Sequence, residues 1–530
     1  MLTLIRSIFA RAAKYLGLRG KNADSQPLFE LIAGQIMRDP NCQIDESQFP
    51  KIKLGVDTEL SFAAGAMDAV WGGHSGQDKG REAVERILAE IDKGTIVEWK
   101  QIDAKLHGMR AIGCVDSVLE DIRRSGISFK AVRLFWTMAK CSPDYEAVKW
   151  GLAIGTLSGI GEEKLHDLLI FARHPEFTLY SVYALRRFAT AKPEWKHCLV
   201  DLLPFSRQWG VIKLIEQIVF EPDLINDIEV QRKVLVFGME NNGGIPMEVA
   251  FTIAKHIDLS KFLGLAESDN GVYAAIFLIM DTLINEPNPL GGIDELPDGK
   301  ALLKQYVGML TKRNPDVRTL CALHDIGEFL KKQQTINNEP AELLVQVRQL
   351  WGKYLGDSVL REGLRDSDTR WRTLNLIEKL KIVSLLPEVR EVFQENPDYA
   401  SISVLAEIGN AEDLELLLAS VERFVDLRER ATKKFSPINV PVAETKGIFE
   451  YGRIVQTLGR LATPEAIEHL KLAASDYDPA VRSSACMGFA LMPIDKVDGE
   501  ILALVKQRLN DPMAYVRESA KEASAHLARQ

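Results

Sequence analysis

The stretch 463-TPEAIEHLKLAASDYDPAVRSSACMGFALM-492 is followed by 498-DGEILALVKQRLNDPMAYVRESAKEASAHL-527, and the two carry one pattern at an offset of 35 residues. Asp476 maps onto Asp511, Val481 onto Val516, Arg482 onto Arg517, Ser484 onto Ser519 and Ala485 onto Ala520. Upstream, Ile467 maps onto Leu502 and Leu470 onto Val505. In the first copy Ile467, Leu470 and Ala474 share one helical face. Thr463-Pro464 supplies a hydroxyl cap and a proline at the first helical position. Asp476-Tyr477-Asp478-Pro479 is a turn. Val481, Ala485, Gly488 and Met492 then form a second apolar stripe, matched by Val516, Ala520, Ala523 and Leu527. Small residues at 485, 488, 520 and 523 let helices approach closely. One helical hairpin cannot bury its own apolar face, so copies must stack.

The Asp-to-Arg spacing of six residues has its own reading. Asp476 and Asp511 sit in turns, where a carboxylate accepts orphan N–H groups of the next helix. Arg482 and Arg517 lie inside that helix, within reach of the Asp of their own or an adjacent unit, and the four residues predict a structural ladder. On these residues the stretch resembles HEAT-like repeats of the kind found in phycobilin lyase-type repeat proteins. The resemblance is clear over 463–527 and degenerate over about 82–462. It implies an all-α fold: a right-handed α/α superhelix, that is, a HEAT/armadillo-like solenoid of stacked helical hairpins.

A chain of 530 residues exceeds one ordinary globular domain, but a solenoid has no such ceiling, because each repeat touches only its neighbours. Hydrophobic residues make up 46% and charged residues 26%, a folded-protein composition. The net charge of -9 disfavours a general nucleic-acid binder. Cys42, Cys114, Cys141, Cys198, Cys321 and Cys486 are scattered without a Cys-x-x-Cys pair, which predicts reduced thiols in a cytoplasmic protein. No apolar run is long enough for a spanning helix.

Residues 1–21 carry five basic residues and no acid on an amphipathic pattern. They read as a helix covering the open end of the stack, with a membrane-surface helix or a targeting segment as alternatives. The region 1–80 is expected to form an N-terminal helical cap with a glycine-rich loop, 72–80. That loop lacks the Gly-Lys-Ser/Thr ending and the preceding strand of a phosphate-binding P-loop, so it reads as a turn. A first solenoid is expected over 81–284, a proline- and glycine-rich joint over 285–299, and a second solenoid over 300–530. The stretch 433–442 has no helical pattern and reads as an inserted loop.

The nine histidines form no metal-binding spacing, and no nucleophile elbow is present, so neither a metal, a cofactor nor a catalytic residue is expected. Arg361, Arg365, Arg370, Trp371 and Arg372 make a candidate basic patch with an aromatic suited to stacking on a base. The alternative is that Trp371 fills the repeat's core position and Arg372 pairs with Asp366. HEAT-like solenoids include alkylpurine DNA glycosylases, and that resemblance implies a nucleic-acid reading of the patch. The repeat resemblance equally implies a lyase- or chaperone-like role on a tetrapyrrole protein. The leading expectation is a non-catalytic, cytoplasmic interaction scaffold that binds another protein, with Trp71, His74, Phe435, Ile438 and Val440 as candidate partner-binding residues. Association with a membrane surface through 1–21 is a further expectation.

Overall fold

The computed structural model describes residues 26–50, 65, 68, 78–157, 161–189, 192–241, 246–285, 292–337, 342–424 and 447–528. Residues 1–21, Trp71, His74 and the inserted loop with Phe435, Ile438 and Val440 lie outside them. Every regular element among the described residues is an α-helix or a short 3-10 turn. No helix among them is long and apolar enough to cross a membrane.

The chain divides into two compact units, Met1–Arg313 and Asn314–Gln530. The first is led by α1 (Val115–Ser125), α2 (Phe129–Cys141), α3 (Tyr145–Gly155), α4 (Pro175–Ala189), α5 (Gln208–Val219), α6 (Pro246–His256) and α7 (Asn270–Asn285). Packing runs from α1 to α3, α3 to α4, α4 to α5, α5 to α6 and α6 to α7, while α2 lies against α3. Phe135, Trp150, Phe171, Phe177, Phe262 and Phe277 are fully buried along this unit. Burying one such side chain stabilises by roughly 1.5–3 kcal/mol. The sequence placed the joint at 285–299, but α8 (Gly299–Leu310) packs on the Ser260–Ala266 helix and closes the first unit. Arg313 explains why: its guanidinium lies 4.0 Å above the Tyr273 ring and donates to Asn270 Oδ1 at 2.8 Å. The second unit therefore begins at 314.

The second unit contains α9 (Arg370–Leu380), α10 (Tyr399–Ile408), α11 (Ile448–Leu461), α12 (Pro464–Ala474), α13 (Pro479–Leu491), α14 (Gly499–Arg508) and α15 (Ala514–Leu527). Helices α9, α10, α11, α13 and α15 pack in that order, and α12 and α14 pack on one another. The caps match the sequence: Thr463 accepts from Ala466 N–H at 3.3 Å and Pro464 opens α12. Val481, Ala485, Val516, Ala520 and Ala523 are completely buried. On the partnering helices Leu470, Ala474 and Val505 are buried as expected, and only the first position differs, where Ala466 and Ile501 are buried. Ile501 is buried and Leu502 is 45% exposed, where α14 packs on α12 and α15.

The expected close approach of small residues is confirmed where α11 crosses α13. A Cβ on Gly459 would sit 1.9 Å from the Gly488 carbonyl oxygen, and one on Gly488 would lie 2.5 Å from Leu470 Cδ2. Backbone cannot swing aside as a side chain does. Gly459→Ala is therefore expected to destabilise by about 1–3 kcal/mol, the usual cost of overpacking. Urea unfolding of the full chain measures it, and a change below about 0.5 kcal/mol, the range of an ordinary surface substitution, would disprove the tight crossing.

Candidate functional site

Lys149 is the conspicuous residue of the first unit. It lies in α3 within Ala147-Val148-Lys149-Trp150-Gly151-Leu152-Ala153-Ile154-Gly155, all of it buried. A lone cation in such a run needs partners, because an unpaired charge is costly to desolvate. Three carboxylates supply them. Glu146, in the first turn of α3, accepts from Lys149 Nζ at 2.8 Å. Asp68 meets the same ammonium at 3.0 Å through Oδ2 and 3.1 Å through Oδ1. Glu176, in the first turn of α4, forms the third ion pair. The side chains of Lys149 and Glu176 are each 1% exposed.

Neighbouring groups fix these carboxylates. Glu146 Oε2 accepts from Ala111 N–H at 2.7 Å. Glu176 accepts from Gly65 N–H, where the chain passes with φ +78 and a Cβ would lie 2.9 Å from the Pro175 carbonyl oxygen. His174 packs against the rings of Phe49, Tyr145 and Phe177 at tilted angles, and its Nδ1 accepts from Glu176 N–H at 3.2 Å.

The electrostatics follow from burial. Desolvation alone would lower the Lys149 ammonium, but Glu146, Glu176 and Asp68 outweigh it and hold it well above its usual range. Burial raises Asp68 from 3.8 to about 6, with Lys149 opposing and Glu176 and Glu146 adding to the rise. Burial, helped by Lys149, lowers His174 to about 3, so the imidazole is neutral at pH 7. The Tyr180 phenol faces Asp68 and is held far above its usual range, by burial first and then by the surrounding carboxylates.

Oxygens of Asp68, Glu146 and Glu176 lie within 4.8 Å of one another. That is the donor set of a hard-cation site, yet the Lys149 ammonium already bonds all three. The cluster is thus an internal ion cage that ties α3, α4 and Asp68 together. Its pH response has a defined sign. The folded state holds the Asp68 proton up to about 6 and the unfolded chain only to about 3.8. Stability from this group is therefore greatest below 3.8 and falls as pH rises through that window, by at most about 1.4 kcal/mol per unit. Asp68→Asn should flatten this part of a stability-versus-pH curve obtained from urea melts; an unchanged slope would contradict the assignment.

Asp68 and Tyr180 also line a cleft of about 560 Å³. Val115, Asp116 and Leu119 enter from α1, Ala153 from α3, with Thr156 just beyond it, and Lys213 from α5. Helix α4 contributes most, including Leu179, Tyr183, Arg186 and Arg187. The lining mixes aliphatic, aromatic and cationic groups, a combination suited to binding.

Of the expected ladder, one carboxylate rung forms, between Arg482 and Asp511. Arg482 grips Asp511 through Nε–Oδ2 at 2.8 Å and Nη2–Oδ1 at 2.9 Å. Its Nη1 also donates to the carbonyls of Asp476 and Tyr477 at 2.9 and 2.8 Å. Arg517 repeats the second half, donating to the carbonyls of Asp511 and Pro512 at 2.7 and 2.9 Å. The carboxylate of Asp476 accepts from Asp478 N–H at 2.7 Å. Each arginine therefore caps its own turn, and Arg482 also reaches into the next unit.

The basic patch is differently arranged from the expectation. Trp371 is 51% exposed and does not fill a core position. Thr373, Leu374 and Ile377 are buried instead, and Thr373 Oγ1 bonds back to the Thr369 carbonyl at 2.9 Å. Arg361 is paired with Glu388 at 2.6 Å. Arg370 donates to the Leu364 carbonyl at 2.8 Å, and Arg372 lies 4.8 Å from the Trp371 ring centre. Arg365 is exposed at the end of the Asp357–Arg365 helix that also carries Arg361.

Sequence reasoning missed Lys149, Asp68, Glu146, Glu176 and Tyr180. The available signal was a charge inside an apolar helical run, since lysine is almost never buried without partners.

No family model matches the chain, and no curated protein matches it. Among solved structures, an engineered protein of known crystal structure aligns over 85% of this chain and 99% of its own at 15% identity. Its TM-score is 0.26, and a likeness that weak carries no argument about fold or function.

Proposed function

We propose that the protein is a non-catalytic interaction scaffold, a HEAT-like solenoid that holds another protein on the faces of its stacked helices. The observation that carries this reading is the cleft, to which the consecutively packed α1, α3, α4 and α5 all contribute. Tyr183, 53% exposed on its wall, is the type of residue that anchors interfaces. The ion cage beneath it fixes α3 against α4, giving the binding face a rigid support. Trp71, His74, Phe435, Ile438 and Val440 remain candidate partner contacts on this reading, with a cytoplasmic setting and the 1–21 segment as a peripheral membrane contact. A nucleic-acid role has less support, because Arg361 and Arg370 are engaged within the fold.

The test is affinity capture with the full chain. Wild type is compared with Tyr183→Ala/Lys213→Glu and with a control far along the sequence, Leu472→Ser, which is exposed on α12. A protein retained by wild type and control but lost from the cleft variant is the expected result. An identical set on all three would sink the proposal.

A further inference from the structure

We infer that the cleft takes a carboxylate carried on an apolar group, received by Arg187; this rests on the reading of the cleft as the binding face. Three cations line the cleft, and two are neutralised within the fold. Arg186 Nε donates to Glu221 at 2.7 Å and its Nη1 to Gln217 at 3.0 Å. Lys213 is paired with Glu216 at 3.0 Å. Arg187 differs: its Nη2 donates to the Thr156 carbonyl at 2.7 Å and to Thr156 Oγ1 at 2.8 Å. Among the described residues it has no carboxylate partner, and its Nε and Nη1 make no hydrogen bond.

Thr156 gives that guanidinium a fixed posture. It is 1% exposed, and its own hydroxyl donates to the Leu152 carbonyl at 2.8 Å. Arg187 is thus an exposed, oriented cation with spare donors, the arrangement that recognises a carboxylate. Two carboxylates share the cleft without competing for it. Asp68 belongs to Lys149, and Asp116 lies in the first turn of α1, where the helix end favours negative charge. Ile112, Val115, Leu119 and Leu179 line the same cleft and offer aliphatic surface for the body of the ligand. A cleft of about 560 Å³ is large enough for one terminal residue with its neighbours, or for a medium-chain acid.

Two sources share this chemistry: the C-terminal residue of a partner chain with an apolar side chain, and a free fatty acid. Isothermal titration calorimetry on the full chain separates them, using an acetylated Ala-Ala-Leu tripeptide as the free acid, the same peptide as its C-terminal amide, and octanoate. At least one acid is expected to bind, with the neutral amide weaker by roughly 10-fold or more, the scale of a charge-assisted hydrogen bond. Arg187→Gln should weaken the acid to a similar degree, and Arg187→Lys should fall between, circular dichroism confirming that both variants are folded. Tighter binding of the peptide acid identifies a chain terminus, and tighter binding of octanoate identifies a fatty acid. No binding by either acid, or equal binding by Arg187→Gln, overturns the inference. If it fails while Tyr183→Ala/Lys213→Glu still loses its captured partner, the scaffold reading stands alone; if that capture difference is also missing, both fall.

Discussion

Lys149→Met is expected to destabilise the full chain by about 3–5 kcal/mol at pH 7, the cost of removing one partner from a buried ion pair. Methionine matches the aliphatic stem of lysine, so the loss is electrostatic more than steric. It leaves Asp68, Glu146 and Glu176 with their oxygens within 4.8 Å of one another and no cation between them. Such a group relaxes by taking up protons, as like charges in one site cannot all ionise. The variant should therefore recover stability as pH falls from 7 to 5, the direction in which the wild-type Asp68 already resists ionisation. A second arm tests the cage itself. Lys149→Ala opens space among three oxygen donors, and calcium should raise the melting temperature of this variant while leaving the wild type unmoved. Urea melts and thermal scans measure both arms. A Lys149→Met protein as stable as wild type, with an unchanged pH response, would mean that the four groups do not form one electrostatic unit.

Arg482→Leu should cost the second unit a similar amount. The side chain is 9% exposed and its partner Asp511 is 0% exposed. Removing it strips a bidentate pair and leaves the Asp476 and Tyr477 carbonyls without their donor. About 3–5 kcal/mol is expected for breaking such a pair from one side. Arg508 still bonds Asp511 at 3.0 Å, which places the outcome toward the lower end. The double variant Arg482→Leu/Asp511→Leu should lose less than the two single changes together, since no orphaned charge remains. The acid limb gives an independent readout. Burial alone would raise Asp511, but Arg482, the Met513 N–H and Arg508 overcome it and hold the carboxyl at about 2, against 3.8 ordinarily. A depressed folded-state value means stability that is present above 3.8 and lost as pH falls through that window toward 2. Asp511→Asn should remove that part of the acid sensitivity. Additive single and double variants, or an unaltered acid limb, would show that the ladder is decorative.

The contrast between these two devices explains what was legible beforehand. The ladder could be read because it recurs. Asp476 and Asp511, and Arg482 and Arg517, stand at one spacing in two copies, and turn geometry places any such pair alike. Burial at Val481, Ala485, Val516 and Ala520 followed from the same periodicity. The partnering helices were less well read, because Ile501 and Leu502 are both aliphatic and only the angle at which α14 meets its neighbours selects one. Trp371 failed for a related reason. An apolar residue at the repeat offset need not be core, since Thr369 and Thr373 hold the inner face by bonding back to carbonyls. The end of the first unit moved from 284 to 313 because composition marks where a helix cannot continue, not where packing stops.

By itself the sequence determined the helical class, the hairpin unit with its caps and turns, and the arginine–aspartate ladder. These are local or periodic properties, set by residues fewer than 40 apart in repeated order. Only the tertiary structure decided the ion cage and the cleft. Lys149 and Asp68 are 81 residues apart and Lys149 and Glu176 are 27 apart, in stretches with no shared motif. Carboxylates are abundant on helix surfaces, so nothing distinguishes Glu146 or Glu176 until α3 and α4 pack and exclude water. Burial then converts ordinary side chains into a cluster whose charges must balance. The same packing leaves Arg187 as the lining cation without an acid among the described residues.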